Sequence, residues 1–398
     1  MSESPLQVIL LTTDFLPNIG GIAAHVAGLA AGLSRSGHTV TVVVPQRVRG
    51  KWLAKERAER LDGYDVLRLD VPADRLLGRP YVPYVVARLK MFIRSGVKVI
   101  HWHTYDYEIL NKLPGVAKVF SNHTTYFIEF VSDPDRIHRA KGIVSPADIV
   151  IAVSRQWADA TVATGFPAER IRLVSNGVDT IRFSPSVDGS AVRKRYGIGA
   201  DECVILCPRR LVKKNGLIYW VQAIPLLLSR VRQKVRFMFV GDWQGKPEYS
   251  SREEVLAGIK ALDLGDQIIF VGAVDNREMH HYFAACGIVV IPSLVEATSI
   301  AGLEALATGR PVLATTVGGL PEIITDGEHG ILVPPADAPA LAEGARRLVE
   351  SPELREEMGK AGRARAEREF DWIKIAARIT AVYREALDMR KSGLKPDA

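Results

Sequence analysis

The stretch Pro292-Ser293-Leu294-Val295-Glu296-Ala297-Thr298-Ser299-Ile300-Ala301-Gly302-Leu303-Glu304 holds the densest chemistry in the chain. It follows the apolar run Ile288–Ile291 and opens an amphipathic one, so it reads as a strand-to-helix passage. Thr298 and Ser299 are capping residue types. The first amides of the helix they begin have no intrahelical acceptor and so offer an anion site. Glu296 lies before that helix and Glu304 about two turns into it. That spacing suits two carboxylates gripping sugar hydroxyls on either side of a bound phosphate.

A second cluster, Arg209-Arg210-Leu211-Val212-Lys213-Lys214-Asn215-Gly216, places four cations in six positions after the run Cys203–Cys207. Such a group can neutralise a diphosphate. A solvated basic turn is the commoner fate of such clusters, and the place after a strand is what favours a function. Near the amino terminus, Pro17-Asn18-Ile19-Gly20-Gly21-Ile22-Ala23-Ala24-His25 lets backbone approach a ligand at a helix start. Its spacing is not that of a dinucleotide fingerprint, and an ordinary turn stays open as a reading. Gly318-Gly319-Leu320-Pro321-Glu322 repeats this kind of entry.

His101, His103 and His123 all follow strand candidates. A lone histidine is more often structural than catalytic. No cysteine partner or His-x3-His spacing accompanies them, so no metal is expected. Asp133-Pro134-Asp135 mimics a metal motif but follows an aromatic stretch, and it reads as a helix start.

The elements that must carry these residues alternate β-branched runs with amphipathic stretches, the pattern of parallel-sheet α/β domains. Strand candidates in the first half are Val8–Leu11, Thr39–Val44, Val66–Leu69, Lys98–His101, Val116–Ser121, Asp148–Ala152 and Ile171–Val174. In the second half they are Cys203–Cys207, Arg236–Val240, Ile268–Val271, Ile288–Ile291, Pro311–Ala314 and Gly330–Val333. Helical stretches lie between them. Open α/β sheets bind ligands beyond the carboxyl ends of their strands, where the residues above fall.

A length of 398 residues with 47% hydrophobic and 24% charged content describes two globular domains, each able to bury a core. Three cysteines exclude a disulfide-stapled module and read as reduced core residues. The start Met1-Ser2-Glu3-Ser4-Pro5 lacks signal-peptide character, and no apolar run approaches a membrane span. The net charge of +7 is uneven: 26 Lys and Arg face 18 Asp and Glu over 1–198, against 26 and 27 over 199–398. The basic first half suits an anionic partner, a membrane surface or an acidic substrate, and a solvated basic face with no partner is an equal alternative. Within it, the segment Arg79–Arg94 interleaves aromatic, aliphatic and cationic residues. If it is helical from about Pro83, then Val85, Leu89 and Phe92 share an apolar face, which packs on a sheet or rests on anionic lipid.

Taken together, these motifs resemble a retaining glycosyltransferase of family 4. The matching pieces are Gly20-Gly21 with His25, Asn176-Gly177-Val178-Asp179, Arg210-Leu211, Gly241-Asp242, Phe270-Val271-Gly272, Glu296-x7-Glu304, Gly318-Gly319-Leu320-Pro321-Glu322 and Phe370-Asp371-Trp372. They run in family order across nearly the whole chain. The resemblance implies the α/β GT-B architecture, two facing Rossmann-like domains with a cleft between them. Residues 1–182 would be the acceptor-binding domain and 199–370 the donor domain, with 183–198 a linker and hinge, because the stretch Ile181–Gly199 is polar and punctuated by Pro and Gly. Residues 371–390 would form a helix packing back on the first domain, with 391–398 a polar tail.

By the same resemblance, Glu296 contacts donor-sugar hydroxyls, Glu304 the ribose, and the amides of Thr298, Ser299 and Ile300 the phosphates. The backbone near Gly272 and Val274 receives the base, and Gly20 and Gly21 belong to the donor site. Arg210 holds the diphosphate with a lysine. That lysine usually precedes the glycine, where this chain has Asn215, so the role passes to Lys214. His123 matches a histidine that meets the donor sugar, with His103 and His25 on the acceptor side. The implied reaction moves a hexosyl unit from a nucleotide diphosphate sugar, a UDP-sugar first and GDP-mannose next. The acceptor is a hydroxyl of a glycan, a lipid-linked or a small molecule. No cofactor, metal or nucleic-acid partner is expected, and the protein is expected in the cytoplasm, peripheral at the inner face of the membrane. A GT-B nucleotide-sugar epimerase and a non-catalytic nucleotide-sugar-binding protein are the alternatives; a dehydrogenase lacks its glycine fingerprint.

Overall fold

The computed structural model describes residues 4–18, 20–48, 53–72, 81–105, 107–242 and 247–392. Met1 to Glu3, Ile19, Arg79, Pro80 and the tail from 393 lie outside the described residues. The chain forms two compact units, the first from the chain up to Gly177 and from Trp372 onward, the second from Val178 to Asp371.

Unit 1 is built on an eight-stranded sheet. Its strands are β1 (Gln7–Leu11), β2 (Thr39–Val48), β3 (Lys55–Leu61), β4 (Tyr64–Pro72), β5 (Val99–Trp102), β6 (Ala117–Asn122), β7 (Ile149–Ala152) and β8 (Ile171–Leu173). They lie in the order β3-β4-β2-β1-β5-β6-β7-β8. All pairs are parallel except β3 with β4, joined by the two-residue turn Asp62-Gly63 with φ of 43° and 89°. β3 does not figure among the strand candidates because Lys55-Glu56-Arg57-Ala58-Glu59-Arg60-Leu61 has no apolar face: six of its residues are exposed. It is a charged edge strand, held by cross-strand ion pairs Arg57–Asp70 and Arg68–Glu59.

Parallel strands are buried on both faces, and β1 divides its residues accordingly. Ile9 and Leu11 join the cluster with Val85 and Leu89 of the helix Tyr81–Arg94. Val8 and Leu10 join Leu29, Leu33, Trp372, Ile375 and Tyr383 on the other face. The apolar face of the Tyr81–Arg94 helix is thus spent on the sheet rather than on lipid. Lys90, Met91 and Arg94 stay exposed, and Arg88 pairs with Glu56. The helix Trp372–Lys391 is fitted to the first helix, Gly21–Arg35, by small residues. A β-carbon on Gly28 would lie 2.1 Å from the Trp372 indole, and one on Gly177 2.6 Å from it.

Unit 2 is a six-stranded, all-parallel sheet. Its strands are β9 (Cys203–Cys207), β10 (Val235–Val240), β11 (Ile268–Gly272), β12 (Ile288–Ile291), β13 (Val312–Thr315) and β14 (Gly330–Val333). The order is β11-β10-β9-β12-β13-β14. Cys203 and Cys207 face one core with Ile205, while Val204 and Leu206 face the other. All three cysteines are free and buried, and burial pushes the Cys207 and Cys286 thiols up to about 12.

The unit boundary differs from the 183–198 linker expected from composition. Val178 already belongs to unit 2, donating to the Phe370 carbonyl at 2.8 Å and bridging to Asp371. Arg363 donates to the carbonyls of Thr180 and Phe183. The polar, proline-punctuated stretch is therefore a surface loop of unit 2, with Phe183 buried and a helix at Ser190–Arg195.

Candidate functional site

Apart from the antiparallel edge hairpin β3–β4, the parallel strands of each sheet run outward in both directions from one point, β1/β5 in unit 1 and β9/β12 in unit 2. Ligand sites of open α/β sheets sit beyond the carboxyl ends there.

In unit 2, the turn after β9 and the loop after β12 interlock. Gly216 (φ 65°) passes so close to Pro292 that a β-carbon would lie 2.0 Å from its carbonyl oxygen. The amides of Leu294 and Val295 donate to the Lys214 carbonyl at 2.8 and 3.2 Å. Behind the loop, a β-carbon on Gly318 (φ 54°) would lie 1.5 Å from the Glu296 backbone carbonyl oxygen, so only glycine fits. The helix Ile300–Ala307 begins at Ser299, whose hydroxyl accepts from the Gly302 amide at 3.2 Å. Ala297, Thr298 and Ser299 are buried and Ile300 half-buried beside them.

Glu296 is not an open carboxylate in this arrangement. Arg209, which motif matching passes over in favour of its neighbour, pairs with it. Nη2 of Arg209 also donates to Ser293 Oγ at 2.7 Å and Asn215 Oδ1 at 3.1 Å. The Asn215 amide in turn donates to the Arg210 carbonyl at 2.8 Å. Arg210 starts the same turn, and Lys214 is half-buried in the 3-10 turn Lys213–Asn215. Burial pushes the Glu304 carboxyl up to about 8, with the Arg182 guanidinium acting against it. Arg182 had no motif to flag it. Gly272 ends β11 with φ 79° and open space over its α-carbon, with Val274 half-buried two residues on.

In unit 1, adjacency of β1, β5 and β6 gathers four histidines. His25 comes from the helix after β1, His101 and His103 from β5 and its end, and His123 from the end of β6. The His25 and His123 rings lie 4.1 Å apart, and His103 Nδ1 is 3.2 Å from His123 Nε2. His101 anchors the group, with the Tyr383 hydroxyl at 2.8 Å and Ser121 Oγ at 2.7 Å. Burial holds all four rings neutral: it pulls His25 down to about 3, partly opposed by Asn176, and the other three well below the usual histidine range. His25, His103 and His123 each bring one ring nitrogen within 4.8 Å of the others, a grouping able to hold a metal ion. Local spacing gives no sign of it, because the three come from separate elements. Gly20 precedes the first helix in extended backbone and Gly21 opens it. Asp133 receives the Asp135 amide at 3.0 Å in the turn before the helix Ile137–Val144.

A cavity of about 640 Å³ opens at the ends of β1, β2 and β5, lined by Thr13, Gln46, Arg47, Tyr81, Thr104 and Tyr105. The Arg47 guanidinium lies over the Tyr81 ring at 4.4 Å. Another, of about 700 Å³, sits at the opposite, amino-terminal ends of β9, β12 and β13 and holds none of the site residues.

Comparison with known proteins accords with this geometry. The family model described as Glycosyltransferase Family 4 matches residues 19–182, and that described as Glycosyl transferases group 1 matches residues 189–365. The chain belongs to the family-4 glycosyltransferases of GT-B fold, enzymes that use a nucleotide-sugar donor. It is 28% identical to the GDP-mannose-dependent alpha-(1-6)-phosphatidylinositol monomannoside mannosyltransferase of Mycolicibacterium smegmatis, over 97% of this chain and 100% of that one. It is 32% identical to the D-inositol 3-phosphate glycosyltransferase of Acidothermus cellulolyticus, over 70% of this chain and 64% of the relative. Among solved structures, a sucrose-phosphate synthase from Thermosynechococcus elongatus superposes with a TM-score of 0.77 at 25% identity, covering 95% of this chain and 98% of that one.

Proposed function

We propose that the protein is a retaining, metal-independent hexosyltransferase, with the donor held by unit 2 and the acceptor by unit 1. The observation that carries the reading is the convergence of Glu296, the Arg209-Arg210 pair, the Ser299-capped helix start and Glu304 at the β9/β12 switch point. The bond from C1 of the sugar to the diphosphate breaks, and the acceptor oxygen bonds C1 on the same face. The acceptor's proton goes to the departing diphosphate. Negative charge gathers on that leaving group. Arg210, a second cation of its cluster and the amides of Thr298, Ser299 and Ile300 stabilise it, each well-aimed donor contributing about 3–4 kcal/mol by analogy with oxyanion holes. With that countercharge no divalent ion is needed. Glu304 takes the ribose and the backbone at Gly272 and Val274 the base. His123 faces the donor sugar, and His103 and His25 border the acceptor.

The donor is a UDP-sugar or GDP-mannose; the GDP-mannose dependence of the M. smegmatis relative supports the second. Both relatives act on inositol-based, phosphate-bearing molecules by name. That supports a phosphorylated polyol, free or lipid-linked, in the Arg47 cavity, with the protein peripheral at a membrane in the lipid-linked case. A panel of nucleotide sugars scored for slow hydrolysis and thermal stabilisation tests the reading. One donor should stand out, with release of the corresponding nucleoside diphosphate. No stabilisation and no turnover across UDP-, GDP- and ADP-sugars would refute it.

A further inference from the structure

Asn215 occupies the position where the resemblance calls for a diphosphate-binding lysine, and Lys214 is the nearest lysine in sequence. The fold offers a different cation at that place. The Arg209 side chain is 11% exposed, and its contacts to Glu296, Ser293 and Asn215 all run through Nη2. Nε is buried and has no partner among the described residues. Asn215 is buried and holds both arginines, one by its head and the other by its carbonyl. Gly241 presses on the Arg209 backbone, since a β-carbon there would lie 2.4 Å from the Arg209 oxygen. Arg209 is thus fixed at both ends against the carboxylate proposed to receive the donor sugar.

We propose that Arg209 is the second cation of the donor site, replacing the missing lysine, and that it guards Glu296 until the donor arrives. The inference rests on the reading of unit 2 as the donor site. A buried ion pair is tolerated only while each charge stays paired. A nucleotide diphosphate sugar brings a replacement for each: phosphate oxygens for the Arg209 guanidinium, sugar hydroxyls for the Glu296 carboxylate. Partners are exchanged without leaving a bare charge. Asn215 is a positioning residue here, its side chain too short and uncharged to reach phosphate as lysine would.

The test compares variants in nucleoside diphosphate binding (UDP and GDP, by calorimetry) and in donor hydrolysis. Arg209→Ala should weaken binding and lower kcat/KM for the donor by at least tenfold, with kcat falling as well as KM rising. Lys213→Ala, an exposed cation of the same turn, should match wild type. Adding Asn215→Lys to Arg209→Ala should recover at least threefold of the lost affinity, which a merely structural role would not allow. If Arg209→Ala folds poorly by thermal melting, Arg209→Ala with Glu296→Gln removes the stranded charge and is measured for nucleoside diphosphate affinity instead. Wild-type affinity in Arg209→Ala, or a larger loss in Lys214→Ala, overturns the proposal. A wild type that binds neither nucleotide and hydrolyses no donor overturns the donor-site reading itself, whatever the variants do.

Discussion

Glu304→Gln gives the donor site a pH-dependent signature. Burial holds the Glu304 carboxyl up at about 8 in the empty protein. At pH 7 only roughly one in ten copies is therefore ionised, a cost of about 1.4 kcal/mol to any ligand that requires the carboxylate. Two ribose hydroxyls donating to Glu304 together need both oxygens as acceptors, which the carboxylate offers and the protonated acid, with one oxygen carrying the proton, does not. Wild-type affinity for UDP or GDP should accordingly rise about tenfold from pH 7 to pH 9. The glutamine variant has nothing to ionise. At pH 9 it should bind more weakly by about 1.5–3 kcal/mol, the worth of a hydrogen bond to a charged group. That gap should narrow as the pH falls through 8. Calorimetric titrations of both proteins from pH 7 to 9 measure it, and the nucleotide's own titration cancels in the ratio. Stability gives a second readout with its own sign. A carboxyl raised above its unfolded value binds its proton more tightly when folded, so its contribution is present below pH 4.5 and lost as the pH rises through 8. The empty wild type should lose stability over that window relative to the variant. A wild-type to variant affinity ratio that is constant with pH would refute the assignment of Glu304 to the ribose.

Three further outcomes are expected. His123→Ala should slow transfer at least tenfold while nucleotide affinity and thermal midpoint stay near wild type; full activity would make His123 structural. EDTA should leave transfer unchanged, and loss restored by Mg²⁺ or Mn²⁺ would sink the metal-independent account. The protein should co-sediment with anionic but not zwitterionic vesicles and release as salt rises, through the Lys90 and Arg94 edge of the Tyr81–Arg94 helix, each cation adding about 1 kcal/mol near the surface. Equal, negligible binding to both vesicle types would leave a soluble acceptor.

The strands that sequence located best are those buried on both faces. Cys203–Cys207, Ile288–Ile291 and Gly330–Val333 carry continuous apolar runs and appear at those bounds. β3 escaped because an edge strand needs no apolar face, although Asp62-Gly63 was a hairpin signal in plain view. Glu296, Arg210 and the Ser299 cap could be read because one strand-to-helix passage holds each motif together. The Arg209–Glu296 pair spans 87 positions and depends on β9 lying beside β12. Two adjacent arginines are alike in sequence; only the strand's end decides which one turns toward the carboxylate. The histidine group is hidden for the same reason, being assembled by the neighbours of β1. The unit boundary is not legible because polar composition punctuated by Pro and Gly marks exposed loops and linkers alike, and the pairing of Val178 with Asp371 leaves no local trace.

The seating of Trp372 against Gly28 and Gly177 bears on how the chain is made. β1 to β8 leave the ribosome first, yet the face of their sheet formed by Val8, Leu10, Val42 and Val119 is completed by Trp372, Ile375, Ile379 and Tyr383. Between them come all of residues 178–371, roughly 10 to 40 s of synthesis. Unit 2 is contiguous and can close during that interval, so the second half of the protein matures before the first. For that time the nascent amino-terminal sheet has this face covered only in part, by Val26, Leu29 and Leu33 of its first helix. This is a window for chaperone capture, and a reason for chains terminated short of residue 372 to aggregate even with a sound carboxyl-terminal unit.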